Sequence, residues 1–273
     1  MGIKDALSKA VAGDPDKTGN LPATAAKGDV ALAETAFDGL PTGYENVSDK
    51  DLIIPRLVVL QGLSPQVNKN KAEYIKEAQS GDFCDVATGE IWKEGLDLIP
   101  CYYATVYLEW APRDSGKGLV ANHGTDADKA HKNAQMNEKR QWITKEGNLI
   151  AETATYFCLN MSAGARRSFI PFSSTGLKDA RQWMTLITNE KLTRSDGSTV
   201  PAPLFYRSWT ATTVGKSNAQ GDWNGWKFKP NKTILEIGGK ALLDEAVDFH
   251  RQAKDGLVQG SFEPEPQEDN DKM

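Results

Sequence analysis

The sequence predicts a mainly β core of the α+β class with two helices. Short apolar or alternating segments separated by turn residues dominate the middle of this 273-residue chain. Apolar residues recur at helical spacing in two places, 175–191 and 240–253. Both ends are polar and rich in Pro, Gly and Asp. We therefore expect a flexible arm over residues 1–48, a core over 49–262 and a disordered acidic tail over 263–273.

The composition is that of a soluble globular protein, with 39% hydrophobic and 25% charged residues. No apolar run reaches the ~18 residues that a membrane span needs, and the first residues lack a secretory signal pattern. We expect a cytoplasmic protein with no membrane partner. The cysteines and histidines are scattered, which predicts reduced, buried thiols, no metal and no cofactor. These residues are Cys84, Cys101, Cys158, His123, His131 and His250.

The net charge of −5 is unevenly distributed along the chain. Residues 1–50 carry −3 and residues 263–273 carry −4, so residues 51–262 carry +2. Because the distribution of charge matters more than its sum, an acidic total does not exclude a nucleic-acid ligand for the core.

The first half of the core reads as strands. Residues 52–60 form an apolar run whose length fits a strand or a short helix equally, and a hairpin is predicted across Thr88-Gly89. Residues 96–110 read as one long strand. Alternation puts Tyr103 and Tyr107 on its more polar face, either open to a ligand or half buried against a neighbouring element.

Residues 111–140 are polar and are predicted to be an insertion or long loop, with a surface helix at 125–134. Further strands are predicted on both sides of the Ser162-Ala163-Gly164 turn. Arg166 and Arg167 follow that turn directly. They are either phosphate contacts or the solvated tip of a hairpin.

The densest pattern lies between Phe205 and Phe228, where six aromatic residues stand among cations. This pairing suits a single nucleic-acid strand, because aromatic rings stack on bases and cations contact phosphates. Strands are predicted at 204–214 and 223–229, joined by a long polar loop at 215–222. The candidate residues here are Arg207, Trp209, Lys216, Trp223, Lys227 and Lys229.

Alternation in the second of these strands separates two faces. Trp226 and Phe228 point one way, which favours a role in the core, whereas Trp223, Lys227 and Lys229 point the other way. The alternative is that the lysines merely line a solvated edge of the sheet.

Catalytic motifs are absent from the sequence. Gly116-Lys117-Gly118 and Gly238-Gly239-Lys240 lack the spacing of a phosphate-binding loop, and there is no G-x-S-x-G or H-E-x-x-H. We expect no catalytic residues and no enzyme activity.

A β-rich basic core with interleaved aromatic residues and an acidic tail resembles the single-stranded DNA-binding proteins that bacteriophages encode. The resemblance covers about 51–273, without 111–140. The segments Asp51-Leu52-Ile53-Ile54-Pro55-Arg56-Leu57 and Gln61-Gly62-Leu63-Ser64-Pro65 also resemble phage proteins encoded near replication genes.

This resemblance implies an OB-like β-barrel whose sheet face stacks bases. It makes Tyr103, Tyr107, Trp209 and Trp223 the stacking residues, with Arg167, Arg207, Lys216, Lys227 and Lys229 on phosphates. It also implies a tail that recruits replication or recombination proteins, through Glu263, Glu265, Glu268, Asp269 and Asp271. The tail departs from the family pattern in ending Asp271-Lys272-Met273, without an aromatic residue.

The sequence thus predicts a non-catalytic single-stranded DNA-binding protein of phage replication or recombination, located in the host cytoplasm. Two alternatives stay open: a phage structural or assembly protein, and a strand-annealing recombination protein. A homo-oligomer is compatible with each.

Overall fold

The computed structural model describes residues 54–219, 221–258, 260 and 262. The arm predicted over 1–48 and the tail predicted over 263–273 lie outside the described residues. Three helices are found in the described part: α1 (Ala127–His131), α2 (Leu177–Thr188) and α3 (Ile234–Lys254).

Thirteen strands are found in the same part of the chain. They are β1 (Leu57–Val59), β2 (Phe83–Asp85), β3 (Ile91–Trp92), β4 (Leu96–Trp110), β5 (Leu119–Asn122), β6 (Ala134–Met136), β7 (Trp142–Thr144), β8 (Leu149–Asn160), β9 (Arg166–Ser173), β10 (Lys191–Thr193), β11 (Thr199–Pro201), β12 (Arg207–Asn218) and β13 (Gly221–Thr233).

The main sheet is antiparallel and is built around β4 and β8, which pair from Leu98↔Asn160 to Trp110↔Leu149. Where β4 begins, the strand order is β13-β12-β4-β8-β9. Where β4 ends, β5 lies on its other side and β7 and β6 continue from β8. Two small sheets, β1-β2-β3 and β10-β11, complete the described part.

This architecture confirms the predicted mainly β core with helices, but the sheet is open. No ladder between the described strands closes it, so the OB-like barrel is not formed. Instead, residues 54–62 span the gap between the two outer strands. The Phe169 amide of β9 donates to the carbonyl of Pro55 at 2.9 Å, and Gln61 contacts the backbone of Asn224 in β13.

A β-bulge between Pro100 and Tyr102 changes which residues of β4 face each side. Leu98 lies before the bulge and Tyr103 after it, and both face the same side of the sheet, although simple alternation puts them on opposite faces. Alternation along residues 96–110, which puts Leu98 on the face opposite to Tyr103, is therefore wrong for Leu98.

Each face of the sheet carries its own apolar core. The face covered by α2 is called the inner face here, and the face covered by α3 the outer face. On the inner face, α2 contributes Ala180, Trp183 and Ile187 to a cluster that includes Trp209, Trp226 and Phe228. On the outer face, α3 contributes Ala246, Phe249 and Ala253 to a second cluster. The three cysteines are free and buried, as predicted. A central sheet with one helix on each face therefore positions the surface features below.

Local sequence explains the start of α3. Thr233 accepts from the Glu236 amide, and the Glu236 carboxylate accepts from the Thr233 amide, which completes a capping box. The helix kinks at Gly239, whose φ of 59° favours glycine. The helix was predicted to begin at residue 240, which is next to this kink. In the structure, α3 begins six residues earlier.

The polar segments are more regular than predicted. Residues 111–140 contain the strands β5 and β6 besides α1, which lies within the surface helix predicted at 125–134. The segment 204–206 is a turn of 3₁₀ helix, and the predicted loop 215–222 belongs to the β12-β13 ladder, which continues to Asn218↔Gly221. The hairpin is consequently longer and its connection much tighter.

Candidate functional site

The β12-β13 hairpin separates its side chains into two faces as the alternation predicts. Trp226 and Phe228 are 9% and 7% exposed and belong to the inner core. Lys227 and Lys229 are exposed on the outer face, opposite Thr212 and Thr210. Trp223 is half-buried, follows the same alternation and pairs across the ladder with Lys216. The outer face thus carries one partly exposed indole and a short row of cations.

Trp209 is not available to a ligand, and its prediction as a base-stacking residue is wrong. It is 1% exposed and packs in the inner core. The reason is its register: Trp209 lies opposite Leu98 of β4, at a point where the sheet is covered by α2.

Tyr103 and Tyr107 lie on the inner face, opposite to that of Lys227 and Lys229. Tyr103 packs edge-on against Tyr156 with 4.9 Å between ring centroids. Tyr107 packs edge-on against His131 at 5.1 Å. Burial raises the pKa of Tyr107, and the nearby Glu152 carboxylate raises it further. The tyrosines and the hairpin lysines therefore do not share the one binding face that the resemblance implies.

Arg166 and Arg167, at the start of β9, contact side chains of other elements. The Arg166 Nη1 contacts Asp85 at 3.1 Å and Glu90 at 2.9 Å, which ties the β2-β3 hairpin to the sheet. Arg167 reaches over the ring of Phe249 to carboxylate and amide oxygens of α3. Those partners are Glu245 at 2.8 Å, Gln252 at 2.7 Å and Asp248 at 3.2 Å. The structure thus gives both arginines protein carboxylates as partners.

Arg207 is similarly engaged within the protein. Its Nη2 contacts Glu190 at 3.0 Å and its Nη1 donates to the carbonyl of Asn231 at 3.1 Å. The arginine is half-buried and links β12 to the end of α2 and to β13.

Lys216 reaches a buried carboxylate instead of closing over a ligand from a loop. Its ammonium pairs with Asp179 of α2, whose side chain is 2% exposed and also accepts from the Trp226 amide at 3.0 Å. The lysine passes over Gly225, where a Cβ atom would lie 2.5 Å from its Cε. The absence of a side chain at Gly225 therefore makes the ion pair possible.

A cleft of about 590 Å³ opens beside this pair, at the tip of the hairpin. One wall comes from the hairpin and the other from the segment after β1 and the turn before β2. Its lining includes Lys216, Trp223, Asn224, Gln61, Gly62 and Ser80. Of the predicted site residues, Lys216 and Trp223 thus meet at one cavity, together with part of the segment that resembles phage proteins.

A second cavity, of about 380 Å³, lies at the far end of β4. There the Glu109 carboxylate contacts His123 at 2.8 Å and Asn148 at 2.6 Å. Sequence reasoning missed this cluster, because its members are far apart in the chain and each is unremarkable alone. Across the described residues, no group of three or more His, Cys, Asp or Glu is placed to hold a metal ion. None of the helices described is long and apolar enough to cross a membrane.

These features define an α+β protein with an open antiparallel sheet and a cationic, tryptophan-bearing hairpin. The model of the family described as Pam3 phage gp34-like protein matches residues 24–259. The chain belongs to this family and is a phage protein, which confirms the phage part of the predicted resemblance. No curated protein and no solved structure matches the chain.

Proposed function

We propose that this phage protein binds single-stranded DNA along the outer face of the β12-β13 hairpin. The observation that carries the proposal is the shared face of Trp223, Lys227 and Lys229, with Trp226 and Phe228 turned into the core. Alternate residues of a strand are about 6.8 Å apart, so these three side chains extend over roughly 20 Å. A row of this length can follow a few nucleotides of an extended strand.

Each residue has a distinct role in this proposal. The ammonium groups of Lys227 and Lys229 contact phosphates, and the ring of Trp223 stacks on a base, worth about 1–3 kcal/mol per base in comparable proteins. The facing side chains Thr210 and Thr212 are short and leave the lysines accessible. No step of this role requires catalysis or a cofactor.

The ion pairs of the structure limit the number of phosphate contacts. Arg166, Arg207 and Lys216 already face protein carboxylates, so the proposed interface uses two cations, Lys227 and Lys229. Because single strands release about 0.7 counterion per phosphate contact, the logarithm of affinity should fall with the logarithm of salt concentration with a slope near −1.4.

The acidic residues of 263–273 lie outside the described residues, and the proposal gives them a regulatory role. Their charge of −4 would compete with phosphates for the hairpin lysines, and replication or recombination proteins would relieve that competition. Removing residues 263–273 should accordingly raise DNA affinity, most strongly at low salt.

Fluorescence polarisation of a labelled oligothymidine at several salt concentrations tests the proposal. The double variant Lys227→Gln/Lys229→Gln should bind more weakly, with a salt slope shallower by about 1.4. Lys191→Gln is the matched control, since Lys191 is exposed on β10, outside the hairpin. Absence of binding by the wild type, or equal slopes for all three proteins, would refute the proposed interface.

A further inference from the structure

The cavity at the far end of β4 is bounded on one side by α1, which is held firmly on the sheet. The ring of His131 on α1 stacks on Trp142 of β7, with 4.3 Å between ring centroids. The same ring packs edge-on against Tyr107 of β4 at 5.1 Å, and the neighbouring Ala130 is buried. Because these aromatic contacts fix α1 over the inner face, the space between the helix and the sheet is formed before any ligand arrives.

The floor of this cavity is a polar network on the inner face of the sheet. The side chain of Glu109 is 13% exposed, and its Oε2 contacts the Nε2 of His123 at 2.8 Å. Its Oε1 accepts from the Nδ2 of Asn148 at 2.6 Å, and the Asn148 amide of the backbone donates to the Thr144 hydroxyl at 3.2 Å. Both oxygens of Glu109 therefore have protein partners, and this carboxylate orients the floor.

Two lysines line the cavity from different elements. Lys129 belongs to α1, and Lys145 directly follows β7. Neither lysine forms an ion pair with another residue in the part of the chain that the structure describes. Because two ammonium groups at one cavity repel each other, an anion bound between them is stabilised by both.

The groups left free at the cavity are mainly hydrogen-bond donors. Besides the two ammonium groups, Thr144 keeps its hydroxyl proton, since its oxygen accepts from Asn148. The side chain of Asn133 also lines the cavity and makes no hydrogen bond to another described residue. Glu146 opposes them as an exposed carboxylate beside Lys145. Phosphate oxygens accept several bonds at once, and those donated by ammonium groups are among the strong ones.

We propose that this cavity binds the phosphate group of a small molecule, with Lys129 and Lys145 on the phosphate oxygens. Its volume of about 380 Å³ falls within the range of roughly 300–1,000 Å³ that is usual for small-molecule sites. Ala130 and Ile150 supply apolar lining for the rest of the molecule. The cavity lies on the inner face, so it is separate from the hairpin lysines of the proposed DNA interface. Free phosphate and a phosphate monoester share this chemistry.

Isothermal titration calorimetry with inorganic phosphate and with ribose 5-phosphate, at an ionic strength fixed with chloride, tests the site. The variant Lys129→Gln/Lys145→Gln should lower the affinity at least about tenfold, because charge-assisted hydrogen bonds are lost. Both lysines are exposed, so the fold should not change. Lys132→Gln/Lys139→Gln is the matched control, since these lysines are exposed in the same region but do not line the cavity.

Glu146→Gln checks the sign of the charge that the ligand carries. Removal of this carboxylate should raise the affinity for both probes, about two- to fivefold, whereas Glu138→Gln, outside the lining, should have no effect.

The two probes identify the source of the phosphate. Tighter binding of ribose 5-phosphate supports a monoester as the ligand, and equal affinity supports free phosphate. Absence of binding by both probes up to about 10 mM overturns the site. Equal losses of affinity in the two double-lysine variants, or binding of ribose alone as tight as that of ribose 5-phosphate, also overturn it.

Discussion

The side chain of Gln61 pairs with the backbone of Asn224 in the way a neighbouring strand would. Its Oε1 accepts from the Asn224 amide at 2.8 Å, and its Nε2 donates to the Asn224 carbonyl at 3.0 Å. One amide side chain therefore satisfies both backbone groups at this point of the outer strand β13. The segment after β1 is thereby fixed to the tip of the hairpin, where the cleft lies.

Gln61→Ala should loosen the hairpin tip. Loss of these two hydrogen bonds, and of the one from Nε2 to the Val59 carbonyl, should lower the free energy of unfolding by about 1–3 kcal/mol and speed hydrogen exchange of the Asn224 amide. Urea denaturation and exchange measured by NMR check both effects. Gln79→Ala is the control, since the exposed Gln79 side chain makes no hydrogen bond to any described residue. Equal exchange rates in the two variants would contradict the pairing.

Lys216→Met should destabilise the protein, because it leaves the carboxylate of Asp179 buried without its cation. Breaking a buried pair typically costs about 3–5 kcal/mol. Since the Lys216 side chain is 24% exposed, we expect a loss of about 2–3 kcal/mol in urea denaturation. Lys240→Met removes the exposed pair with Asp244 and should cost at most about 0.5 kcal/mol. Similar losses for the two lysines would show that Asp179 does not need its partner.

Gly225→Ala should also act through this ion pair. The new Cβ would lie 2.5 Å from the Cε of Lys216 and 2.8 Å from the Oδ2 of Asp179, so those groups must move apart. Overpacking of this kind typically costs about 1–3 kcal/mol. Gly215→Ala places the same methyl group in open space on the facing strand and should be neutral. Thermal denaturation that ranks the two variants equally would argue against the close contact.

Trp209→Ala and Trp223→Ala should have opposite consequences. Truncation of the buried Trp209 should lower the free energy of unfolding by about 3–5 kcal/mol without changing the affinity of the folded protein for DNA. Truncation of the half-buried Trp223 should weaken DNA binding by about 1–3 kcal/mol and leave most of the stability intact. Chemical denaturation and polarisation titration, applied to both variants, distinguish the two roles. A Trp209→Ala protein that is fully stable would place this ring outside the core.

The cysteines should make stability fall at high pH. Burial raises the pKa of Cys84 to about 12, and burial also raises the pKa values of Cys101 and Cys158. Above the ordinary pKa near 9, the unfolded chain loses these protons while the folded protein keeps them, so rising pH favours unfolding. We expect declining urea midpoints between about pH 9 and 12. A thiol reagent at pH 8 should react only after unfolding, and rapid labelling of the native protein would contradict the burial.

Local pattern was sufficient for much of the hairpin. Alternation along residues 223–229 identified the buried pair Trp226 and Phe228 and the exposed pair Lys227 and Lys229, because successive side chains of a strand point to opposite faces. The same periodicity identified β4 and α2. These properties depend on neighbours within a few residues, which the sequence displays directly.

Partners distant in the chain could not be predicted in this way. From the sequence, Arg167 is a candidate phosphate contact. In the structure it pairs with Glu245 of α3, which lies 78 residues further along the chain. Lys216 is predicted to lie in an open loop, whereas in the structure it forms an ion pair with Asp179 of α2. The bulge after Pro100 likewise reverses the faces of β4, and a single extra residue leaves little trace in composition.

By itself, the sequence determined the mainly β class, the positions of the long strands and the two larger helices, and the buried state of the cysteines. The tertiary structure decided that the sheet stays open, that most of the candidate cations face carboxylates of the protein, and that the tyrosines and the hairpin lysines lie on opposite faces. The physical reason is one of range. Periodicity records which side of its own element a residue faces, whereas pairing and burial depend on elements that meet only when the chain folds.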